Sequence, residues 1–172
     1  MKRHLLRIIM GLLIGGIVLI IFKPYQGDDR LASANSLTAS SLPDAWQSMD
    51  TAMLNIQPAN QTPPHTLRVR VADDSAERAQ GMQHLPSRVV RDEPIWFVFP
   101  TPRRTGWHMR NVRIALDIVY VDASGRVISI ERMQPEGTGY GIDVPIAAAL
   151  EVAAGQAKKL DIQPGSIVSL SQ

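Results

Sequence analysis

Cysteine is absent from the 172 residues of this chain. A disulfide framework, a thiolate metal site and a cysteine nucleophile are therefore excluded. The sequence also lacks a Gly-x-Ser-x-Gly nucleophile motif, a glycine-rich phosphate-binding loop and a dinucleotide-binding fingerprint. Its 18 lysines and arginines form no long basic run, so we expect no nucleic-acid partner. Nothing in these patterns indicates a cofactor.

The histidines show no spacing typical of metal ligands, since His65, His84 and His108 stand singly. His84 and His108 could meet in space beside Glu77 or Glu131, but chance proximity is the simpler interpretation. We therefore expect no metal site.

The N-terminal segment is apolar. From Leu5 to Phe22 every residue except Arg7 is apolar or glycine, which gives about 18 residues and roughly 27 Å of α-helix, close to the hydrocarbon thickness of a bilayer. Positive charges precede this run, which favours an inside N-terminus. We therefore predict that residues 1–22 form a single-pass anchor, contacting the inner (cytoplasmic) membrane through residues 5–22, with the C-terminal domain in the periplasm.

A cleaved signal peptide is the alternative. Ala32-Ser33-Ala34 resembles a cleavage site. It lies about 12 residues beyond Phe22, however, with charged residues between, which favours the anchor. Both interpretations place the remainder of the chain outside the cytoplasm.

Residues 23–64 are rich in Ser, Asn, Gln, Pro and Asp, which predicts a flexible linker. Within it, residues 43–56 are predicted to include a short amphipathic helix, because three apolar residues recur at spacings of three and four: Trp46, Met49 and Met53. This helix either packs on the following domain, which is the simpler interpretation, or contacts the membrane surface.

Residues 65–172 are predicted to form a β-rich globular domain. Leu67 to Val71 alternates apolar and basic residues, and Ile95 to Phe99 is a continuous apolar run, typical of a strand buried on both faces. Asp74 and Glu77 have the spacing of a helix capping box. Further strands are expected at 147–152 and 167–170, with a helical turn at 156–160.

The clearest predicted hairpin joins residues 116–121 to residues 126–133, with Gly125 in the left-handed position of the turn. In the expected register Val121 pairs with Val127 and Asp117 pairs with Glu131. The whole pattern predicts a mostly β (α+β) fold, a compact β-barrel or sandwich of about six or seven strands with two short helices.

Two groups of residues are candidates for chemistry. The segment from Arg103 to Arg113 contains four arginines, a histidine, an asparagine and a tryptophan, and could bind an anionic small molecule or form a solvated basic loop. In the expected hairpin register, Asp117 and Glu131 would lie about 5 Å apart. Such a pair could serve as catalytic acid and base, or be bridged by an arginine as a structural clamp.

From Leu67 to Leu170 the chain resembles the domain of unknown function 192 family. The matching motifs occur in the family's order: Val71-Ala72-Asp73, Glu77-Arg78, Gly81, Trp96-Phe97-Val98-Phe99, Met109-Arg110-Asn111, Leu116 to Asp122 with Gly125, and Leu150-Glu151-Val152 with Gly155 and Gly165. The resemblance implies one small β-rich domain, commonly behind a signal or membrane anchor, without an established activity. The chain departs from the family around Trp107-His108, where members usually have Phe-Trp.

The resemblance also implies which polar positions matter, namely Arg78, Arg110, Asn111, Asp117 and Glu151. With Trp107 and His108 from the arginine-rich segment, the ligand-binding candidates are Arg78, Trp107, His108, Arg110, Asn111 and Glu151, and the catalytic candidates are Asp117 and Glu131.

Three functions remain open from the sequence. The first is a non-enzymatic binding or accessory module for an anionic small molecule, a glycan or an envelope protein. The second is a hydrolase that uses the Asp117/Glu131 pair. The third is a structural subunit of a membrane assembly, docked through the apolar residues of the predicted linker helix.

Overall fold

A computed structural model describes residues 41–60 and 62–171 of the chain. Thirteen elements lie in this part: α1 (Asp44–Ser48), β1 (Asp50–Gln57), β2 (His65–Ala72), α2 (Ser75–Gln80), α3 (Ser87–Asp92), β3 (Ile95–Arg103), β4 (Trp107–His108), β5 (Leu116–Val121), β6 (Val127–Met133), β7 (Thr138–Tyr140), β8 (Ile146–Ala153), α4 (Gln156–Lys159) and β9 (Ile167–Leu170).

None of the helices in residues 41–60 and 62–171 has the length and apolar character needed to cross a bilayer. The predicted anchor of residues 1–22, the first part of the predicted linker and the alternative cleavage after Ala34 lie outside the described residues.

Seven strands form the main sheet, in the order β6-β5-β8-β3-β2-β1-β9. The sheet curls into a half-barrel, and its two edges meet where Arg126 forms a bridge with Ile167. Next to this bridge, the N–H of Val127 donates to the carbonyl of Ser166 at 2.8 Å. The prediction of a mostly β fold is therefore confirmed, in the form of a partly closed barrel, but residues 65–171 contain three short helices instead of the two expected, since α3 was not predicted.

One strand pair of the main sheet is parallel. β2 pairs with β3 in parallel, whereas the other neighbours are antiparallel. Parallel neighbours need a long crossover connection, and α2 and α3 provide it. The capping box predicted for α2 is confirmed, because the Asp74 side chain accepts from the N–H of Glu77 while the Glu77 carboxylate reaches back to the N–H of Asp74.

Residues 44–57 of the predicted linker form a helix and a strand of the folded domain. α1 begins after Pro43 as predicted, but it ends at Ser48, so the prediction of a helix reaching towards residue 56 is wrong. From Asp50 the chain forms β1, which pairs with both β2 and β9. The reason is a period of two, since alternate residues Leu54 and Ile56 are fully buried.

α1 packs against the domain, which confirms the simpler interpretation of this segment. Trp46 and Met49 belong to the hydrophobic core. The Arg70 guanidinium lies 5.1 Å from the centre of a Trp46 ring, and its Nη1 donates to the Met49 carbonyl at 3.2 Å. Neither apolar residue is therefore free to contact a membrane or a partner protein.

The β5–β6 hairpin forms, but half of its predicted register is wrong. Val121 pairs with Val127 as expected, whereas Asp117 pairs with Arg132 and Glu131 pairs with Ile118. The register shifts by one residue between Val121 and Tyr120, which is a β-bulge. Because side chains alternate along a strand, this shift moves Asp117 and Glu131 to opposite faces of the hairpin.

Replacing Trp46 by alanine tests whether α1 is an integral part of the domain. Trp46 is fully buried, so we expect Trp46→Ala to lower the free energy of unfolding by about 3–5 kcal/mol. Chemical denaturation of the full chain in detergent micelles measures the change. Met53→Ala is the control, since this side chain is 40% exposed and its loss should cost no more than about 0.5 kcal/mol. Equal effects of the two substitutions would contradict the packing described for α1.

Candidate functional site

A cavity of about 230 Å³ lies beside α2 and brings together side chains that are far apart in the sequence. Four of the six predicted ligand-binding residues line it: Arg78, Trp107, His108 and Glu151. The remaining lining residues are Ala79, Gln80, Gly81, Met82, Gln83, Phe97, Gly106 and Val112. We call this cavity the Glu151 pocket.

Glu151 lies in β8, between Ile95 of β3 and Ile118 of β5. It is only 5% exposed, and its Oε2 atom has no hydrogen-bond partner. Burial raises the pKa of the Glu151 carboxyl from 4.5 to about 8, because a charged carboxylate loses its hydration there. The group is therefore mostly protonated at neutral pH when the pocket is empty.

The chain passes directly over this carboxyl at Gly81. A Cβ at this position would lie 4.0 Å from Glu151 Oε2 and 3.7 Å from the Phe97 ring. Gly81 has a φ of 46°, in the left-handed region that favours glycine, and its N–H donates to the Glu77 carbonyl where α2 ends. The glycine that ends the helix thus also forms part of the pocket wall.

Trp107 forms the aromatic wall. Its ring packs edge-to-face on Phe97, with centroids 4.8 Å apart, and more distantly on Phe99 at 6.4 Å. The indole Nε1 is buried and has no hydrogen-bond partner. A buried donor without an acceptor is costly. Trp107 therefore resembles Glu151, because each side chain lines the pocket and has one buried hydrogen-bonding atom without a partner.

Arg78 contributes a positive charge to the lining. Its Nη1 donates to the carbonyls of Asp73 and Val98, the latter at 3.1 Å. Its guanidinium also lies 5.9 Å from the centre of the Phe99 ring. These contacts fix the side chain in place and use one of its nitrogens.

Arg110 and Asn111 do not line the pocket. Arg110 is exposed, and Asn111 has a φ of 59° in a tight turn. Hydrogen bonds of the Asn111 backbone hold this turn in place. Its N–H donates to the Glu136 carboxylate at 3.0 Å, and its carbonyl accepts from the backbone N–H of His84. All four arginines of the segment are exposed, as expected for a solvated basic loop.

The two predicted catalytic carboxylates have separate partners. Asp117 forms an ion pair with Arg132 at 2.5 Å and accepts from the N–H of Gly155 at 2.6 Å. Glu131 accepts from the Tyr120 hydroxyl at 2.8 Å. Burial and this acceptor raise the pKa of Tyr120, so the hydroxyl stays protonated. Asp117 and Glu131 are structural acceptors rather than a catalytic pair.

Metal ligation has no geometric basis in residues 41–60 and 62–171, where no three His, Asp or Glu side chains are grouped closely enough to hold an ion. The Glu151 pocket contains one carboxyl and one histidine, which is a poor donor set for a metal.

Sequence reasoning missed Phe97 and the residues from Ala79 to Gln83 that enclose the pocket. It reached Glu151 only through the family resemblance, although a signal was present. Glu151 is the single charged residue in the apolar run of β8, and an isolated acid in a strand buried on both faces is a candidate functional group.

The raised pKa of Glu151 predicts how stability depends on pH. A folded-state pKa of about 8 against 4.5 means that the unfolded chain ionises first. The stabilising contribution is therefore complete below about pH 4.5 and is lost as pH rises towards 8, by at most about 1.4 kcal/mol per pH unit. We expect Glu151→Gln to remove this slope, as measured by denaturation between pH 5 and 9. Asp143→Asn, at an exposed carboxylate, should retain it, and a slope equal to the wild type in Glu151→Gln would contradict the assignment.

The solved structures that are similar to this chain include these two. One is a protein from Sinorhizobium meliloti described as a "putative transcription regulator", with a TM-score of 0.65 and 26% identity over 72% of this chain and 95% of that one. The other is a protein of unknown function from Novosphingobium aromaticivorans, with a TM-score of 0.60 and 26% identity over 75% of this chain and 99% of that one. No curated protein matches.

A family model described as "Uncharacterized ACR" matches residues 56–170. The match begins within β1 and ends with β9, so it includes every residue of the Glu151 pocket. The chain therefore belongs to the domain of unknown function 192 family, which is uncharacterised.

Proposed function

We propose that this protein is a non-enzymatic binding module, tethered to the outer face of the inner membrane by residues 5–22, and that it takes a small polar molecule in the Glu151 pocket. One observation carries the proposal. Two buried atoms without hydrogen-bond partners, Glu151 Oε2 and Trp107 Nε1, belong to side chains from different strands that line the same cavity. A ligand that bonds both atoms removes two desolvation penalties.

The size and the lining residues of the cavity limit the kinds of ligand that it can hold. A volume of about 230 Å³ is below the range of pockets that hold drug-sized molecules, so it suits one ring or one amino acid. Phe97 and Trp107 provide an apolar surface, while Gln80 and Gln83 add polar side chains. None of the four arginines of the arginine-rich segment lines the pocket, so the anionic ligand expected from that segment is not part of the proposal.

Binding is favoured over hydrolysis by the composition of the lining. Among the described residues that line the pocket there is no serine, threonine, lysine or aspartate. A protonated Glu151 could act as a general acid, but His108 is then the remaining lining group able to serve as a base or nucleophile. His108 is exposed, and its Nδ1 accepts from the backbone N–H of Arg110 at 3.4 Å rather than donating to a carboxylate that would orient it as a base, which is a weak basis for catalysis.

Thermal unfolding of the full chain in detergent micelles tests the binding function. The panel contains monosaccharides, amino sugars, amino acids and nucleosides. A compound present at about 100 times its Kd adds about 2.7 kcal/mol, which raises the Tm by roughly 10 °C in a domain of this size. We expect Trp107→Phe to reduce the shift, because it removes the Nε1 donor and keeps an aromatic ring. Arg110→Ala, outside the pocket, should preserve it.

Two outcomes would contradict the binding function. One is a panel without any Tm shift. The other is a shift that Trp107→Phe and Glu151→Gln both leave unchanged, since binding would then occur elsewhere on the chain.

The absence of cysteine allows a clean test of the membrane topology. We expect Lys159→Cys, at an exposed position, to react with a membrane-impermeant maleimide in intact cells, and Lys2→Cys to react only after lysis. The opposite pattern would place the domain in the cytoplasm. Failure of Lys2→Cys to label the mature protein even after lysis would show that the N-terminal segment is cleaved.

A further inference from the structure

We infer that the Glu151 pocket recognises an amine that carries a nearby oxygen acceptor, with its ammonium group paired to the Glu151 carboxylate and its oxygen held by the indole N–H of Trp107. The inference rests on the proposed function and names the ligand class of the same site. Amino acids and amino sugars share this chemistry, in which a charged nitrogen lies within two carbons of an oxygen.

The charge of the ligand decides whether Glu151 meets it as a carboxyl or as a carboxylate. Glu151 is buried, Oε2 has no partner, and the nearest guanidinium in the lining, that of Arg78, already donates to two backbone carbonyls. A neutral ligand would meet a protonated carboxyl and form an ordinary hydrogen bond. An ammonium ion would meet a carboxylate and form a charge-assisted hydrogen bond, which is roughly twice as strong.

Ionising the carboxyl costs little at neutral pH. With a pKa of about 8, the fraction of ionised Glu151 at pH 7 is about one in ten. Binding an ammonium ion is thus weakened about tenfold, a penalty smaller than the gain from pairing two charges inside a protein. The rings of Phe97 and Trp107, 4.8 Å apart between centroids, add aromatic surface that attracts a cation.

Trp107 provides a buried hydrogen-bond donor without a partner. Trp107 Nε1 can only donate, so the group that satisfies it is an acceptor such as a hydroxyl, carbonyl or carboxylate oxygen. An amine without an oxygen leaves this buried donor unpaired. A sugar without an amine forms only the weaker, uncharged hydrogen bond with the protonated Glu151 carboxyl. A ligand that carries both groups satisfies both atoms.

The other charges around Glu151 are compatible with a cation. Arg78 of α2 donates to the carbonyl of Val98 in β3. Val98 lies three positions along β3 from Ile95, the residue that pairs with Glu151, which is about 10 Å along the strand. His108 of β4 is exposed. On the remaining side, Glu131 is separated from Glu151 by Ile118 of β5, with which both pair, and it accepts from the Tyr120 hydroxyl.

Isothermal titration of the full chain in detergent micelles at pH 7 tests the inference with four probes in two matched pairs. Alanine is compared with lactate, and glucosamine with glucose, because each pair differs by an amine in place of a hydroxyl. We expect at least one amine to bind at least tenfold more tightly than its partner. Alanine binding would identify the amino-acid class, and glucosamine binding the amino-sugar class.

Proton release gives a second readout. Titrations in two buffers of different ionisation enthalpy should show that about one proton leaves the protein for each amine bound at pH 7. For alanine, whose ammonium keeps its charge in this range, the Kd should be about tenfold lower at pH 7 than at pH 6. His108→Gln should keep this pH dependence, which assigns it to Glu151 rather than to the histidine.

Glu151→Gln should weaken amine binding at least tenfold and abolish proton release, while its unfolding curve reports that it is folded. Trp107→Phe should weaken binding and leave proton release intact. Lactate or glucose binding as tightly as its amine counterpart, or binding without proton release, would overturn the inference and leave the proposed function standing. If none of the four probes binds, the inference fails, and the wider thermal panel decides the proposed function separately.

Discussion

Strand β8 is covered by side chains on both faces, and the chemistry of the pocket depends on that coverage. Seven of its eight residues are buried, and it lies between β3 and β5 near the middle of the curled sheet. An acid placed in such a strand loses its water on every side except where the covering elements leave a gap. The raised pKa of Glu151, its unpartnered oxygen and its place in a cavity all follow from this position.

The gap above Glu151 results from the crossover between β2 and β3. Parallel pairing of these strands requires the chain to return across one face of the sheet, and α2 is the first element of that return. α2 is six residues long and ends at Gly81, where the chain passes over Phe97 and Glu151. On the adjacent side the β4–β7 ribbon positions Trp107. Topology, rather than any local motif, therefore joins Arg78, Trp107 and Glu151 in one site.

The hairpin shows how sensitive a predicted site is to register. The turn at Gly125 and the first pair, Val121 with Val127, follow from local sequence. The bulge beyond them does not, because it depends on how the hairpin meets β8 and β9 in the curled sheet. A shift of one residue changed the expected carboxylate pair into two separate acceptors, one bonded to Arg132 and Gly155, the other to Tyr120. A catalytic hypothesis based on cross-strand pairing fails when a bulge intervenes.

Local signals determined the elements of this protein. The capping box predicted α2, alternation predicted β2, and the apolar run predicted β3, because each of these depends on neighbouring residues in the chain. Only the helix at Trp46 was predictable, because apolar residues at spacings of three and four favour a helix. The following strand β1 was not, because it depends on pairing with β2 and β9. The arginine-rich segment supplied Trp107 and His108, which line the pocket, as well as Arg110 and Asn111, which lie outside it.

The sequence by itself thus established the family, the mostly β class and the presence of a short capped helix, since motif order, periodicity and capping are local properties. Only the tertiary structure decided which polar residues meet. Glu151, Trp107 and Arg78 are separated by tens of residues, and their meeting depends on the sheet order, the parallel crossover and the β4–β7 pair. The burial that makes Glu151 a neutral acid is likewise a property of the packed sheet, because desolvation exists only after distant segments have covered the strand.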